Sequence, residues 1–234
     1  MFALVTKILQ TEELQFNVKR RKGIYTFLNP VSYLDALENK ELFEQFDGIF
    51  ADGSILVAAI HALYGKKVKR YSFDMTSVAP KLFESADVNE NSVYIVASQQ
   101  EQVERAVQVL RERYRKIRFV RLRNGYFKDK QEWEKEISRI VNVQPDYLIV
   151  GMGVVRQERF LLAARNAGFR GVGFTCGGFI HQTARNEIDY YPAWINRLNL
   201  RFLYRMYREP HTRMRYLKAG IVFPIKFLLE RLKG

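Results

Sequence analysis

Cysteine is nearly absent from this 234-residue chain. The single Cys176 allows no internal disulfide and no metal site built on several thiolates, which fits a reducing cytoplasm. No apolar run reaches the 18 residues of a membrane-spanning segment. Lys7 interrupts the N-terminal MFALVTKILQ and no small-residue cleavage site follows, so no signal peptide is expected. The three histidines, His61, His181 and His211, are far apart and show no i, i+4 pairing, which leaves no zinc pattern. Neither the phosphate loop G-x-x-x-x-G-K-S/T nor the nucleophile elbow G-x-S-x-G occurs; Ser54 stands in D-G-S-I-L. Acidic residues are also short, 25 against 38 Lys and Arg, and the net charge of +13 predicts an acidic partner.

What the chain does contain is an alternation. Apolar residues make up 47% of it, too many for wholesale disorder and enough for a large core. Strand patterns occupy residues 23–30, 46–51, 68–73, 93–97, 117–122, 147–150 and 171–175. Helical patterns fill 32–46, 55–64, 78–86, 99–114, 133–141 and the stretch from 156 onward. This rhythm predicts an α/β fold: a Rossmann-like, mostly parallel sheet with helices on both faces. Residues 1–191 would form that domain and residues 192–234 a basic helical appendage. The appendage holds ten Lys or Arg against two acids, so +8 of the +13 lies in its 43 residues.

The stretch 145–158, PDYLIVGMGVVRQE, is the clearest strand-turn-helix unit. Gly151 and Gly153 follow the strand, and Arg156 and Gln157 open the helix where they would face a crevice at the sheet edge. The third glycine of a dinucleotide fingerprint is missing, and glycines serving turn geometry alone read equally well. Asn29, Asp52, Asp74 and Gln157 stand at successive expected strand ends, which a parallel sheet places on one edge. Asp52 beside a helix start suits either a cap or a general base.

These residues, with others, carry a resemblance. Asn29-Pro30, Ala51-Asp52-Gly53, residues 70–74, Asn124-Gly125-Tyr126-Phe127, Gly151-Met152-Gly153 with Arg156-Gln157-Glu158, Gly177-Gly178-Phe179, and Trp194-Ile195 with Arg197, Arg205 and Arg208 occur in order. Together they resemble the WecG/TagA/CpsF glycosyltransferases from about residue 25 to residue 217. The resemblance implies a bacterial enzyme that transfers a hexose derivative from a UDP-sugar, with inversion, to a sugar on a polyprenyl pyrophosphate. It implies no cofactor and no bound metal, and a location on the cytoplasmic face of the cell membrane. By the same resemblance Asp52 is the base. Asn29, Thr26, Asp74, Arg156, Gln157, Gly151, Gly153 and Tyr126 would bind donor or acceptor, with Thr26 one place before the family's threonine position, which holds Phe27. Ser98-Gln99-Gln100 and His181 stand where the family usually has glycines and an aspartate.

The tail has its own reading. On one continuous helix over 193–208, Arg197, Arg201, Arg205 and Arg208 would fall within roughly 80° of arc, suited to a pyrophosphate. Arg197, Arg205, Arg208 and Arg213 are the expected lipid-pyrophosphate contacts. Pro210 ends that helix, and the basic-apolar segment 216–232 fits an anionic membrane surface better than a span. A solvated basic face packed on the core is the alternative. Expected partners are therefore the UDP-sugar, the lipid-linked glycan and the membrane, with a second copy of the chain as a further option and no nucleic acid. A nucleic-acid-binding module or a non-catalytic nucleotide scaffold are the competing classes.

Overall fold

The computed structural model describes residues 4–13, 22–185, 192–198 and 200–233. Six strands form one sheet: β1 (Gly23–Leu28), β2 (Gly48–Ala51), β3 (Ser92–Ala97), β4 (Arg118–Arg123), β5 (Tyr147–Gly151) and β6 (Val172–Thr175). Their order is β2-β1-β6-β5-β3-β4, and every neighbouring pair is parallel. The alternation of side chains along each strand builds two cores. Leu148 and Val150 of β5 join one apolar cluster, Tyr147 and Ile149 the other.

Helices cover both faces. On the first lie α1 (Leu4–Glu13), α2 (Pro30–Leu37), α3 (Lys40–Glu44), α4 (Ser54–Tyr64), α7 (Lys130–Val143), α8 (Arg156–Asn166) and α12 (Arg213–Lys233). On the second lie α5 (Val78–Val88), α6 (Gln100–Arg113) and α9 (Phe179–Thr183). Two short helices, α10 (Ala193–Arg197) and α11 (Arg201–Arg208), and a 3-10 turn (Pro210–Thr212) lead into α12. The expected 191/192 boundary touches residues 186–191, which lie outside the described residues. C-terminal to it, Phe223 and Phe227 of α12 are buried in the same cluster as Leu4 and Tyr33. Their rings sit 5.6 and 5.3 Å from that of Tyr33.

Three expectations change. Residues 68–73 form no strand; they run past the edge strand β2 with one backbone bond, Tyr71 N–H to the Ala51 carbonyl at 2.9 Å. Lys66, Lys67, Lys69 and Arg70 explain this, because charges on an edge oppose further pairing. The helix expected over 32–46 is divided at Glu38 and Asn39, where Asn39 Nδ2 donates to the Asp35 carbonyl and competes with the helical ladder. The helix expected over 193–208 is divided too: Leu200 N–H reaches back five residues to the Ile195 carbonyl, a bond that closes a helix end. The continuous arginine stripe of that helix is therefore lost.

Candidate active site

Because all six strands run the same way, their C-terminal ends share one edge. A cleft of about 600 Å³ opens there, lined by Asn29 after β1, Asp52 after β2, Ser98 after β3, Gly125 and Tyr126 after β4, Gly151 and Gly153 at β5, and Cys176 after β6. The two glycines of β5 do different work. A Cβ on Gly151 would lie 2.6 Å from Cys176 Sγ, so this position serves close packing of neighbouring strand ends. Gly153 has open space around it but a φ of +83°, which only glycine adopts without strain.

Asp52 follows the edge strand and donates its backbone N–H to the Leu28 carbonyl at 2.7 Å. It is not a helix cap: α4 is capped by Gly53, and among the described residues nothing hydrogen-bonds the Asp52 carboxylate. Its pKa is pushed up to about 6 by burial and by the nearby Asp74, against the pull of Arg70, Arg201 and Arg205. A partly exposed carboxylate poised near neutrality is suited to take a proton from a hydroxyl.

The middle of the cleft is held by a buried polar chain. Glu158 is fully buried; its Oε2 accepts the Val155 N–H at 2.6 Å, and its Oε1 accepts from Gln157 Nε2 at 2.9 Å and Thr26 Oγ1 at 2.8 Å. Thr26 in turn lies 2.8 Å from Thr175 Oγ1. Burial raises the Glu158 pKa, and the bonds from Gln157, Thr26 and Val155 oppose that rise. Val155 is held at φ 70°, a strained setting for a β-branched residue that the Glu158 bond helps to hold. Gln157 and Thr175 line the cleft, whereas Thr26 stands behind them and does not.

A second cavity, of about 530 Å³, lies on the other side of Asp52. Its walls are mainly apolar: Phe202, Leu203 and Met206 from α11, with Leu217, Ile221, Phe223 and Pro224 from α12. It shares Asn29, Val31, Asp52, Asp74, Arg205 and Tyr216 with the polar cleft. Asp74 anchors this roof. Its two oxygens accept from Arg201 Nη1 at 2.7 Å, Ser72 Oγ at 2.5 Å, and Thr76 N and Oγ1 at 2.8 and 2.6 Å. Arg205 bonds Glu209 at 3.2 Å and crosses to the end of β6, where a Cβ on Gly178 would meet its Nη2 at 3.0 Å.

With this geometry in view, residues 5–234 match the profile of the glycosyl transferase WecG/TagA/CpsF family. The chain belongs to that family. It is a glycosyltransferase. A relative from Shigella boydii, named UDP-Gal:alpha-D-GlcNAc-diphosphoundecaprenol beta-1,4-galactosyltransferase, is 33% identical over 214 residues, 92% of this chain and 89% of its own. A relative from Staphylococcus aureus (strain MW2), named N-acetylglucosaminyldiphosphoundecaprenol N-acetyl-beta-D-mannosaminyltransferase, is 29% identical over 193 residues, 82% of this chain and 73% of its own.

In this WecG/TagA/CpsF member the cleft gathers Asn29, Asp52, Asp74, Tyr126, Gly151, Gly153, Arg156 and Gln157. Of the four arginines assigned to pyrophosphate, Arg205 alone lines either cavity. Arg197 lies on the separate α10, Arg208 stacks on the Tyr204 ring at 5.9 Å, and Arg213 donates to the Met206 carbonyl at 2.9 Å. Arg201, a member of the expected stripe, lines the apolar cavity; Arg70 in that cavity and Arg215 in the polar cleft were not singled out from sequence as contacts. Nor were Glu158, Thr175 and Gln102; Gln102 Nε2 pairs with His181 Nδ1 at 2.9 Å across the cleft. Glu158 carried one local signal, a glutamate in the first helical turn, which marks a capping residue.

Proposed function

We propose that the chain transfers a hexose from a UDP-sugar to N-acetylglucosaminyl diphosphate on a polyprenol. The observation that carries this reading is Asp52 at the junction of a polar cleft and an apolar cavity. The nucleotide sugar occupies the cleft, with Tyr126 at its rim for the base and Arg156, Arg205 and Arg215 facing the diphosphate. The lipid-linked acceptor approaches from the apolar side. Asp52 accepts the proton as the acceptor hydroxyl attacks the anomeric carbon and the UDP oxygen leaves from the opposite face. The two relatives' names share this acceptor and differ in the sugar transferred, and both specify a β product. From an α-linked nucleotide sugar, a β product is inversion. The fuller match to the galactosyltransferase favours UDP-galactose as donor.

The long C-terminal helix supports a position on a membrane. Phe223 and Phe227 face the core, while Met214, Leu217, Ile221, Ile225, Leu228 and Leu232 are exposed. At 100° per residue these six fall within roughly 80° of arc, opposite the buried face. Lys218, Arg213 and Arg231 flank that stripe, an arrangement suited to an anionic interface. Among the described residues no helix is long and apolar enough to cross a membrane.

The test incubates the full chain with UDP-galactose and with UDP-N-acetylmannosamine, each against N-acetylglucosaminyl diphosphate on long and short prenols. Mass spectrometry reads the product, and co-sedimentation with anionic vesicles reads membrane contact. A disaccharide product from one donor, and vesicle binding lost in an Ile221→Ser, Ile225→Ser, Leu228→Ser variant, are expected. No product with either donor would overturn the transfer reading, and unchanged sedimentation of the variant would overturn the membrane reading.

A further inference from the structure

Among the side-chain amides that line the cleft, the fold orients Asn29 and Gln157 in opposite senses. Asn29 caps α2: its Oδ1 accepts the N–H groups of Val31 and Ser32 at 2.9 and 3.1 Å, which leaves its NH₂ for a ligand. Gln157 is the reverse. Its Nε2 donates to Glu158, and its Oε1 has no hydrogen-bond partner among the described residues, although the side chain is only 5% exposed. A buried acceptor left unmatched is costly, and on a cleft wall it marks the place of a missing donor.

The direction of these bonds follows from Glu158. The Val155 backbone N–H can only donate, so it fixes Oε2 as an acceptor, and a carboxylate at the start of α8 lies where the helix favours negative charge. Oε1 then accepts both the Gln157 amide and the Thr26 hydroxyl. Thr26 has one proton. Once it is given to Glu158, the 2.8 Å contact with Thr175 requires Thr175 to donate to Thr26. Thr175 lines the cleft, and only its lone pairs remain to meet a ligand.

Resting on the donor reading above, we propose that Glu158 is a positioning residue that fixes Gln157 and Thr175 as hydrogen-bond acceptors, so that this wall binds hydroxyl groups of the donor hexose. A diphosphate has no protons to offer such a wall and would be repelled by the charge behind it. Its oxygens belong beside the arginines and the Asn29 amide instead.

The arrangement predicts an inversion. In Glu158→Gln the new side chain must keep its oxygen toward the Val155 N–H, which puts its NH₂ where Oε1 had been. Gln157 then turns its own oxygen inward and its NH₂ into the cleft. Thr26 becomes an acceptor toward residue 158, and the hydroxyl chain reverses, so Thr175 donates outward. The wall changes from acceptor to donor with little change of shape.

The experiment is calorimetry of the full chain with UDP, UDP-galactose and the 2-, 3-, 4- and 6-deoxyfluoro analogues of UDP-galactose. Fluorine keeps the size of a hydroxyl but donates nothing. In the wild type at least one analogue should bind about 5- to 10-fold more weakly than UDP-galactose, the worth of one hydrogen bond. In Glu158→Gln that gap should fall to about twofold or less, while UDP binds both proteins alike. A merely structural Glu158 would weaken all six ligands together. If Glu158→Gln fails to bind UDP, Thr26→Val and Gln157→Leu test the two arms separately, and the gap should close in at least one of them. A wild type that binds UDP-galactose and its analogues equally, or a gap that persists in the variants, would overturn the inference alone. A wild type that binds neither UDP nor UDP-galactose would overturn the donor reading and this inference with it.

Discussion

The polar cleft and the apolar cavity meet at Asp52 but are built from different kinds of structure. The cleft is made by strand ends, whose positions follow from a sheet buried on both faces; the β5 residues Tyr147 to Gly151 are all buried. The cavity is made by two helices, α11 and α12, laid over the loop after β2 and the start of α2 and held there by Asp74, Arg205 and the aromatic cluster around Tyr33. The first half is rigid because backbone ladders position it. The second depends on a few side chains. A site that handles a water-soluble nucleotide and a lipid at one carboxylate needs both.

Three substitutions separate the halves. Asp52→Asn acts on their junction and should lower turnover by roughly 10²-fold or more, the range of a general base, with UDP affinity held within about twofold. Near-normal turnover would remove Asp52 from the proton transfer. Arg205→Ala should come next, at about tenfold or more, because a charge-assisted contact to a diphosphate is worth about 1.5–3 kcal/mol. It should impair long-chain and short-chain acceptors alike, since the arginine lines both cavities. If kinetics showed a loss confined to the long-chain acceptor, Arg205 would belong to the lipid side alone.

Phe202→Ala should have a smaller and one-sided effect. Losing part of an apolar wall, worth about 1–2 kcal/mol, should raise KM for a long-chain acceptor about 5- to 20-fold and leave UDP binding and the shortest acceptor unchanged. Equal effects on all acceptors would merge the two cavities into one. The smallest effect is on stability. The Asp52 pKa is raised to about 6, above its value in the unfolded chain. The folded state therefore holds more protons between those two values, and stability falls as pH rises through that window. Asp52→Asn removes this loss, so its Tm should exceed that of the wild type at pH 8 and the advantage should shrink as pH is lowered toward 4. A thermal shift independent of pH would contradict the raised pKa.

Six of the seven expected strands, the α/β class and the edge on which the chemistry gathers were legible in the sequence. Those follow from local periodicity and from the rule that parallel strands end together, which is why Asn29, Asp52 and Gln157 could be placed on that edge, whereas Tyr126 came from the family resemblance. Glu158 also stood in the sequence, legible as a capping residue. Its bond to Thr26, 132 residues away, was not. Only the tertiary structure set the strand order that brings β1 between β2 and β6, and with it the Thr175-Thr26-Glu158-Gln157 chain. It also ended α10 before α11 began, which moved Arg197 off the arginine face and left Arg205 and Arg215 as the tail arginines lining the cleft. The hydrogen-bond chain and the placing of the helical roof share one cause. Strand and helix patterns are read from neighbours within a few residues, whereas the direction of a buried hydrogen bond and the seat of a helical roof depend on partners a hundred or more residues distant.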